Sequence, residues 1–149
     1  MPYVTGPIGP GGAVVDVLIG VPGVRASLLR KSNFPVPAAV PVRALIDTGA
    51  SLSGFAPRVF RALDLRPLDQ IEIYTPSTRP GSPYACDRYL VGLALVAGGR
   101  SHPFPDLHVI ETDCWLPDEG IEALIGRDIL SRCNFWYVGI EDTFNLSFA

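Results

Sequence analysis

The sequence predicts an all-β domain, a closed or partly open barrel-like sheet that carries one or two short helices. Three observations support this fold class. Most apolar residues fall in short runs rich in valine, isoleucine and aromatic residues, which is typical of strands. Fifteen glycines and fifteen prolines divide these runs, and such residues mark turns. The clearest helical patterns are short and span residues 56–64 and 128–132.

The size and composition of the chain favour one folded domain over residues 1–149. A length of 149 residues can bury a core without disulfides, and 48% hydrophobic against 18% charged residues excludes a disordered chain. The formal net charge of −3 gives no basic stripe for nucleic acid. Because we find no apolar run long enough for a membrane span and no signal-peptide pattern, we expect a cytoplasmic protein with no nucleic-acid or membrane partner.

Cofactors and metals are not expected. The three cysteines, Cys86, Cys114 and Cys133, are odd in number and far apart, which fits neither a disulfide framework nor a zinc spacing. His102 and His108 are the two histidines, whereas a metal site needs three or four converging ligands. We therefore expect reduced cysteines and no bound metal.

The N-terminal part of the chain contains one convincing strand. Residues 1–12 are rich in glycine and proline and predict a flexible lead-in. Residues 13–21 predict the first strand, which a Pro-Gly pair ends. Residues 22–39 are an insertion that fits either a polar loop or one helical turn, and loops carry most insertions.

The rest of the chain alternates strands with turns. A short strand at 51–55 precedes a helix at 56–64, in which a proline suits the first turn. Residues 70–97 predict a β-hairpin with a broad tip. Further strands are predicted at 104–110, 121–125 and, as a C-terminal hairpin, 134–149.

One carboxylate stands out against these buried strands. Asp47 directly follows the apolar run Ala44-Leu45-Ile46, and a charge at the end of a buried strand is costly unless it is hydrogen-bonded or paired. Gly49 permits a sharp turn just past the carboxylate, and Thr48 adds a hydroxyl that can bond locally. Three residues alone fit an ordinary strand-ending turn, so this motif needs a structural context.

A second apolar segment supplies that context. Residues 123–130 read Ala-Leu-Ile-Gly-Arg-Asp-Ile-Leu, an apolar run that ends at Gly126 and leads into a helical pattern. Together with Asp47-Thr48-Gly49-Ala50, this segment resembles the retropepsin-like aspartic peptidases, the family of retroviral proteases and their cellular relatives. The resemblance covers about two-thirds of the chain, from Pro41 onwards. The helix at 56–64 favours a cellular or bacterial type.

The resemblance implies an aspartic endopeptidase with the retropepsin-like barrel fold and an active site on a homodimer axis. Such enzymes activate one water between two carboxylates. This chain carries one Asp-Thr-Gly segment, so the expected partners are a second copy of the chain and a peptide or protein substrate. Asp47 of each subunit would be the catalytic residue. By the same resemblance, the catalytic loop is supported by Thr48, Gly49 and Ala50, the segment behind it contains Gly126, Arg127 and Asp128, and the flap over the substrate contains Tyr74, Ser77, Gly81 and Ser82.

Two departures from the viral pattern leave alternatives open. Viral enzymes often place an aspartate after Asp-Thr-Gly-Ala to pair with the arginine that corresponds to Arg127, but Ser51 and Leu52 stand here. The viral flap is glycine-rich, whereas residues 76–83 are rich in proline. The hairpin at 70–97 also fits an ordinary surface hairpin. A dimerisation or peptide-binding module with weak or no turnover is the alternative function, since a fold does not fix an activity.

Overall fold

The computed structural model describes residues 2–75, 78–113 and 119–148, and the all-β prediction is confirmed. The strands are β1 (Tyr3–Gly9), β2 (Gly12–Gly20), β3 (Val40–Ile46), β4 (Gly54–Phe55), β5 (Asp69–Ile73), β6 (Tyr84–Ala97), β7 (Arg100–Glu111), β8 (Ile121–Ile125), β9 (Cys133–Val138) and β10 (Thr143–Phe148). The helices are α1 (Gly23–Lys31), α2 (Pro57–Ala62) and α3 (Arg127–Leu130), and a 3₁₀ helix spans Gly139–Glu141. None of the helices in the described ranges is long and apolar enough to cross a membrane.

Six of the strands close into a barrel. The strand order is β5-β6-β7-β4-β8-β3-β2-β1-β10-β9, and β6 also pairs with β2. This additional pairing joins β2, β3, β8, β4, β7 and β6 into a ring, whose buried side chains form the core. β3 runs parallel to β8, so the C-terminal ends of these two strands lie side by side.

The N-terminal segment is a strand, and the prediction of a flexible lead-in at 1–12 is wrong. β1 pairs with β10 and with the start of β2, and its side chains Val4 and Ile8 pack against the core. Gly6 lies under the ring of Phe144, where a Cβ would come within 2.9 Å of a ring carbon. Glycine therefore makes room for an aromatic ring here. The glycine-rich composition predicted flexibility instead.

The insertion at 22–39 begins with a helix, not with the loop or single turn that were predicted. α1 is nine residues long and lies against β7, which raises the number of α-helices in the described residues to three, against the one or two predicted. A Cβ at Gly23 would lie 3.1 Å from Pro105, and Ala26 is the buried residue of the helix. Small residues therefore let α1 approach the barrel closely.

Aromatic packing fixes α2 against the sheet. Phe60 in α2 stacks on Tyr89 of β6 with ring centroids 3.8 Å apart, and it meets Phe55 of β4 edge to face at 6.4 Å. All three side chains are almost completely buried. Burying an aromatic side chain of this size contributes about 1.5–3 kcal/mol, so the cluster ties the strand after the Asp47 turn to the longest strand of the barrel.

Two hairpins extend the sheet beyond the barrel. β5 pairs antiparallel with β6 from Asp69 opposite Arg88 to Ile73 opposite Tyr84. Asp69 and Arg88 also form an ion pair at the base of this hairpin. β9 pairs along its length with β10 and is the last strand at that edge of the sheet.

Candidate active site

The Asp47 turn begins where β3 and its parallel neighbour β8 end together. The Asp47 N–H donates to the Ile125 carbonyl at 2.9 Å, and the Gly49 N–H donates to Asp47 Oδ1 at 2.9 Å. An aspartate that accepts from the backbone two residues ahead closes a turn with its own side chain. The Asp-Thr-Gly sequence therefore ends the strand and orients the half-buried carboxylate in one step.

Gly126 crosses directly behind this turn. A Cβ at Gly126 would lie 2.8–2.9 Å from backbone atoms of Leu52 and Ala50, well inside van der Waals contact. The Arg127 N–H donates to the Ala50 carbonyl at 2.9 Å. The structure thus brings together the two segments that the sequence singled out, and a residue with a side chain at position 126 would push them apart.

The side chain of Arg127 binds the turn itself. Its Nη1 donates to the Thr48 carbonyl at 2.8 Å, a backbone oxygen rather than a carboxylate. The partner of this arginine, which the sequence left open, is therefore the turn backbone. Thr48 itself is an exposed residue.

Ser53 joins the two segments as well, and sequence reasoning missed it. Ser53 is completely buried. Its Oγ donates to Asp128 Oδ1 at 2.7 Å and accepts a hydrogen bond from the Gly126 N–H at 3.0 Å, while its N–H donates to Asp128 Oδ2 at 2.9 Å. No signal in the sequence pointed to it, because a serine in a short predicted strand is not marked as buried, and only a buried polar group needs hydrogen-bond partners within the protein.

A cleft of about 330 Å³ opens beside the Asp47 turn. Its described lining residues are Asp47, Gly49, Ala50, Ser51, Leu52, Gly54, Ile73, Tyr74, Thr75, Ile110, Thr112 and Leu124. The turn and β4 form one side, and the end of β5 with the residues after it forms another. Asp47 is the one carboxylate among these described lining residues. When ionised, it can take a proton from a water held in the cleft.

The four predicted flap residues fall into three groups. Tyr74 lines the cleft and is 68% exposed. Gly81, at φ +77°, and Ser82, whose N–H donates to the Arg79 carbonyl at 3.0 Å, belong to the turn between β5 and β6 and are not among the described lining residues. Ser77 lies outside the described residues. Of the predicted flap residues that the structure describes, the cleft of this subunit is therefore lined by Tyr74, directly after the end of β5.

An acidic hollow of about 140 Å³ adjoins the cleft between the β5–β6 hairpin and the end of β7. Asp87, Glu111 and Asp113 are among its lining residues. Burial raises the pKa of Glu111, and the charges of Asp87 and Asp113 raise it further, whereas Arg61 and a hydrogen bond from Tyr89 act in the opposite direction. Glu111 directly precedes Thr112, a residue of the cleft wall.

Metal ligands do not converge in the part of the chain that the structure describes, where no group of three or more histidine, cysteine, aspartate or glutamate residues is arranged to hold an ion. Cys86 and Cys133 are free thiols, and burial raises the pKa of both. Cys114 lies outside the described residues.

A solved structure identifies the fold. A retropepsin-like aspartic protease from Rickettsia conorii matches with a TM-score of 0.57 and 15% sequence identity, over 98% of this chain and 90% of its own. The fold of this chain is therefore retropepsin-like, as the sequence predicted.

Two further structures match less closely. The EIAV protease complexed with the inhibitor HBY-793 has a TM-score of 0.40 at 18% identity, over 80% of this chain and 85% of its own. The retroviral protease-like domain of Ddi1 from Leishmania major has a TM-score of 0.42 at 15% identity, over 92% of this chain and 94% of its own. No protein-family model and no curated protein matches the sequence.

Proposed function

We propose that this chain, whose fold is retropepsin-like, is an aspartic endopeptidase that acts as a homodimer. The observation that carries the proposal is the position of Asp47. Its carboxylate is oriented by the Gly49 N–H and lines a cleft in which apolar side chains such as Leu52 and Ile73 stand beside polar ones, a lining that suits a bound peptide.

The reaction requires a second carboxylate. Two carboxylates about 3 Å apart cannot both be ionised, so the pair shares one proton. The ionised member takes a proton from the attacking water, the protonated member donates to the scissile carbonyl, and the roles reverse as the amine leaves. The described cleft offers only Asp47, and the sequence has one Asp-Thr-Gly segment.

A two-fold homodimer supplies that carboxylate, because an isologous contact puts the same residue of both subunits beside the axis. In this arrangement the water lies between two Asp47 side chains. The exposed Thr48 meets its symmetry mate across the axis while Arg127 holds its carbonyl from within the subunit. Gly49 and Ala50, which line the cleft, lie beside the substrate backbone.

The β5–β6 hairpin is the proposed flap. Tyr74 and Thr75 at the end of β5 already line the cleft, and the tip of the hairpin continues past them. An extended peptide between the hairpin and the Asp47 turn can be held by main-chain hydrogen bonds in the manner of an added strand.

The C-terminal hairpin is the surface that we propose for dimerisation. Trp136, Tyr137 and Ile140 are 70%, 60% and 95% exposed, and leaving such large apolar side chains in water forgoes the free energy of burial. β9 is also an edge strand, whose unpaired backbone groups can pair with a strand of a second copy.

Cleavage of a mixed peptide library tests the proposal. The wild-type protein would be assayed from about pH 3 to 7, the range in which carboxylate dyads titrate, beside Asp47→Ala and the control Asp16→Ala. Asp16 is an exposed residue of β2 outside the cleft, so its replacement should leave cleavage intact while Asp47→Ala abolishes it. No Asp47-dependent cleavage by folded, dimeric protein would overturn the proposal in favour of a dimerisation or peptide-binding module.

A further inference from the structure

We propose that Ser53, acting through Asp128, is a positioning residue for the Asp47 carboxylate. This inference rests on the proposed function and names a residue that the Asp-Thr-Gly signature does not contain. Ser53 is completely buried and is the one polar residue among the fully buried side chains of the described residues. Burying a hydroxyl costs folding free energy unless hydrogen bonds within the protein replace those that it made to water.

The hydroxyl of Ser53 is used in both directions. It accepts from the Gly126 N–H at 3.0 Å and donates to Asp128 Oδ1 at 2.7 Å. The Asp128 carboxylate also accepts from the Ser53 N–H and from the Ile129 N–H, each at 2.9 Å. A chain of hydrogen bonds therefore runs from Gly126 through Ser53 into a carboxylate that gathers three donors, and charge-assisted bonds of this kind are stronger than neutral ones.

These bonds control the distance between the two segments of the site. The catalytic loop starts at Asp47, whose N–H is fixed by Ile125, and it ends at Ser53. Between these points Gly126 touches the backbone of Ala50 without room for a Cβ. Loss of the Ser53 hydroxyl leaves the Gly126 N–H without its acceptor, so the crossing segment can shift and carry with it the loop that it supports. A displacement of about 1 Å is enough to cost about 100-fold in rate.

The walls of the cleft are held by a different atom of the same residue. The Ser53 carbonyl accepts from the N–H of Ile110 at 3.1 Å, and Ile110 lines the cleft. A change to the Ser53 side chain leaves this backbone bond in place. Positioning of Asp47 should therefore appear in kcat and not in KM, whereas a general loosening of the fold would move both.

A double-mutant cycle tests the inference in the full-length protein. Ser53→Ala, Asp128→Asn and the double variant would be compared with wild type by kcat and KM on one cleaved peptide. Asp128→Asn keeps an oxygen for two donors but turns an amide towards the Ser53 N–H. The control is Ser131→Ala, because the Ser131 hydroxyl donates to the backbone carbonyl of Asp128, at 3.3 Å, and not to its carboxylate.

We expect each single variant to lower kcat by about 10- to 100-fold, with KM changed less than about 3-fold. The double variant should be no slower than the slower single one, because both replacements break the same chain of bonds. Ser131→Ala should match wild type. Thermal unfolding and sedimentation would establish that each variant is folded and dimeric, and Asp128→Asn retains the test if Ser53→Ala does not fold.

Three results would overturn the inference. Unchanged kcat in folded variants would remove the positioning role while leaving the peptidase proposal intact. The same conclusion would follow if the free-energy effects of the two single variants on kcat added up in the double variant. Absence of Asp47-dependent cleavage by the wild type would instead overturn the proposed function, and the positioning role with it.

Discussion

The two sides of the cleft are held in different ways. The Asp47 side is bound to a second, distant segment of the chain through Ile125, Arg127 and Asp128, by backbone and side-chain hydrogen bonds. The hairpin side is held at its base by strand pairing and by the exposed ion pair of Asp69 with Arg88. Exposed ion pairs contribute little to stability. The Asp47 side is thus tied to a distant segment of the chain, whereas the hairpin side is held within one hairpin; under the proposed function, this difference would let the hairpin move to admit a peptide.

Gly126→Ala should disrupt the contact behind the Asp47 turn and have the largest effect on stability. The new methyl group would meet backbone atoms 2.8–2.9 Å away, and backbone cannot turn aside as a flexible side chain can. We expect a loss of about 2–4 kcal/mol of unfolding free energy and of peptide cleavage. Gly9→Ala is the matched control, because a Cβ there has no atom within 4 Å. Equal urea midpoints for the two variants would contradict this account of the crossing.

Glu111→Gln probes the acidic hollow where the hairpin adjoins the cleft. The folded-state pKa of Glu111 is raised, so the folded protein holds this proton more tightly than the unfolded chain does. The resulting stability is complete below the unfolded pKa of about 4.3 and is lost as the pH rises through the folded pKa. Glutamine can still accept from Tyr89 but carries no charge.

The Glu111→Gln variant should therefore match wild type near pH 4 and exceed it in stability at neutral pH. Because the group is largely solvent-screened, the gain should be below about 1 kcal/mol. Urea unfolding at a series of pH values measures the difference directly. If the stability gain of the variant over wild type instead grew towards acid pH, the pKa of Glu111 would not be raised in the folded protein.

Asp69→Asn should have the smallest effect on stability, because its ion pair with Arg88 is exposed. Arg88 lowers the pKa of Asp69 by hydrogen bonding and by its charge, so the pair persists into acid solution. We expect an unchanged melting temperature and, at most, a modest change in KM for a peptide substrate. A melting temperature that falls as far as that of Gly126→Ala would show the hairpin base to be as rigidly supported as the Asp47 turn.

The sequence predicted the parts of this molecule that local patterns encode. The strand before Asp47, the helix at α2 and the all-β class follow from apolar periodicity, Gly and Pro signals. The contact between the Asp47 turn and Gly126 came from a resemblance carried by two short motifs. None of these predictions needed knowledge of which side chains contact each other.

What could not be predicted depends on contacts between distant residues. Ser53 is an ordinary residue until the fold brings Asp128 to it across 75 positions. The strand β1 has the composition of a loop and is ordered by Phe144 and the C-terminal strand. α1 begins at the glycine of a Pro-Gly pair that signals a turn in the sequence, and Gly23 is instead a point of close packing on β7.

The central claim is that one reaction uses Asp47 from two subunits, and subunit mixing tests it most directly. Wild-type protein would be exchanged with Asp47→Asn at constant total concentration, with the extent of exchange followed by native mass spectrometry. If both carboxylates are needed, only wild-type homodimers cleave, and an equal mixture should retain about one quarter of the wild-type activity. Retention of about one half, in simple proportion to the wild-type subunits, would contradict the shared site and assign the chemistry to a single chain.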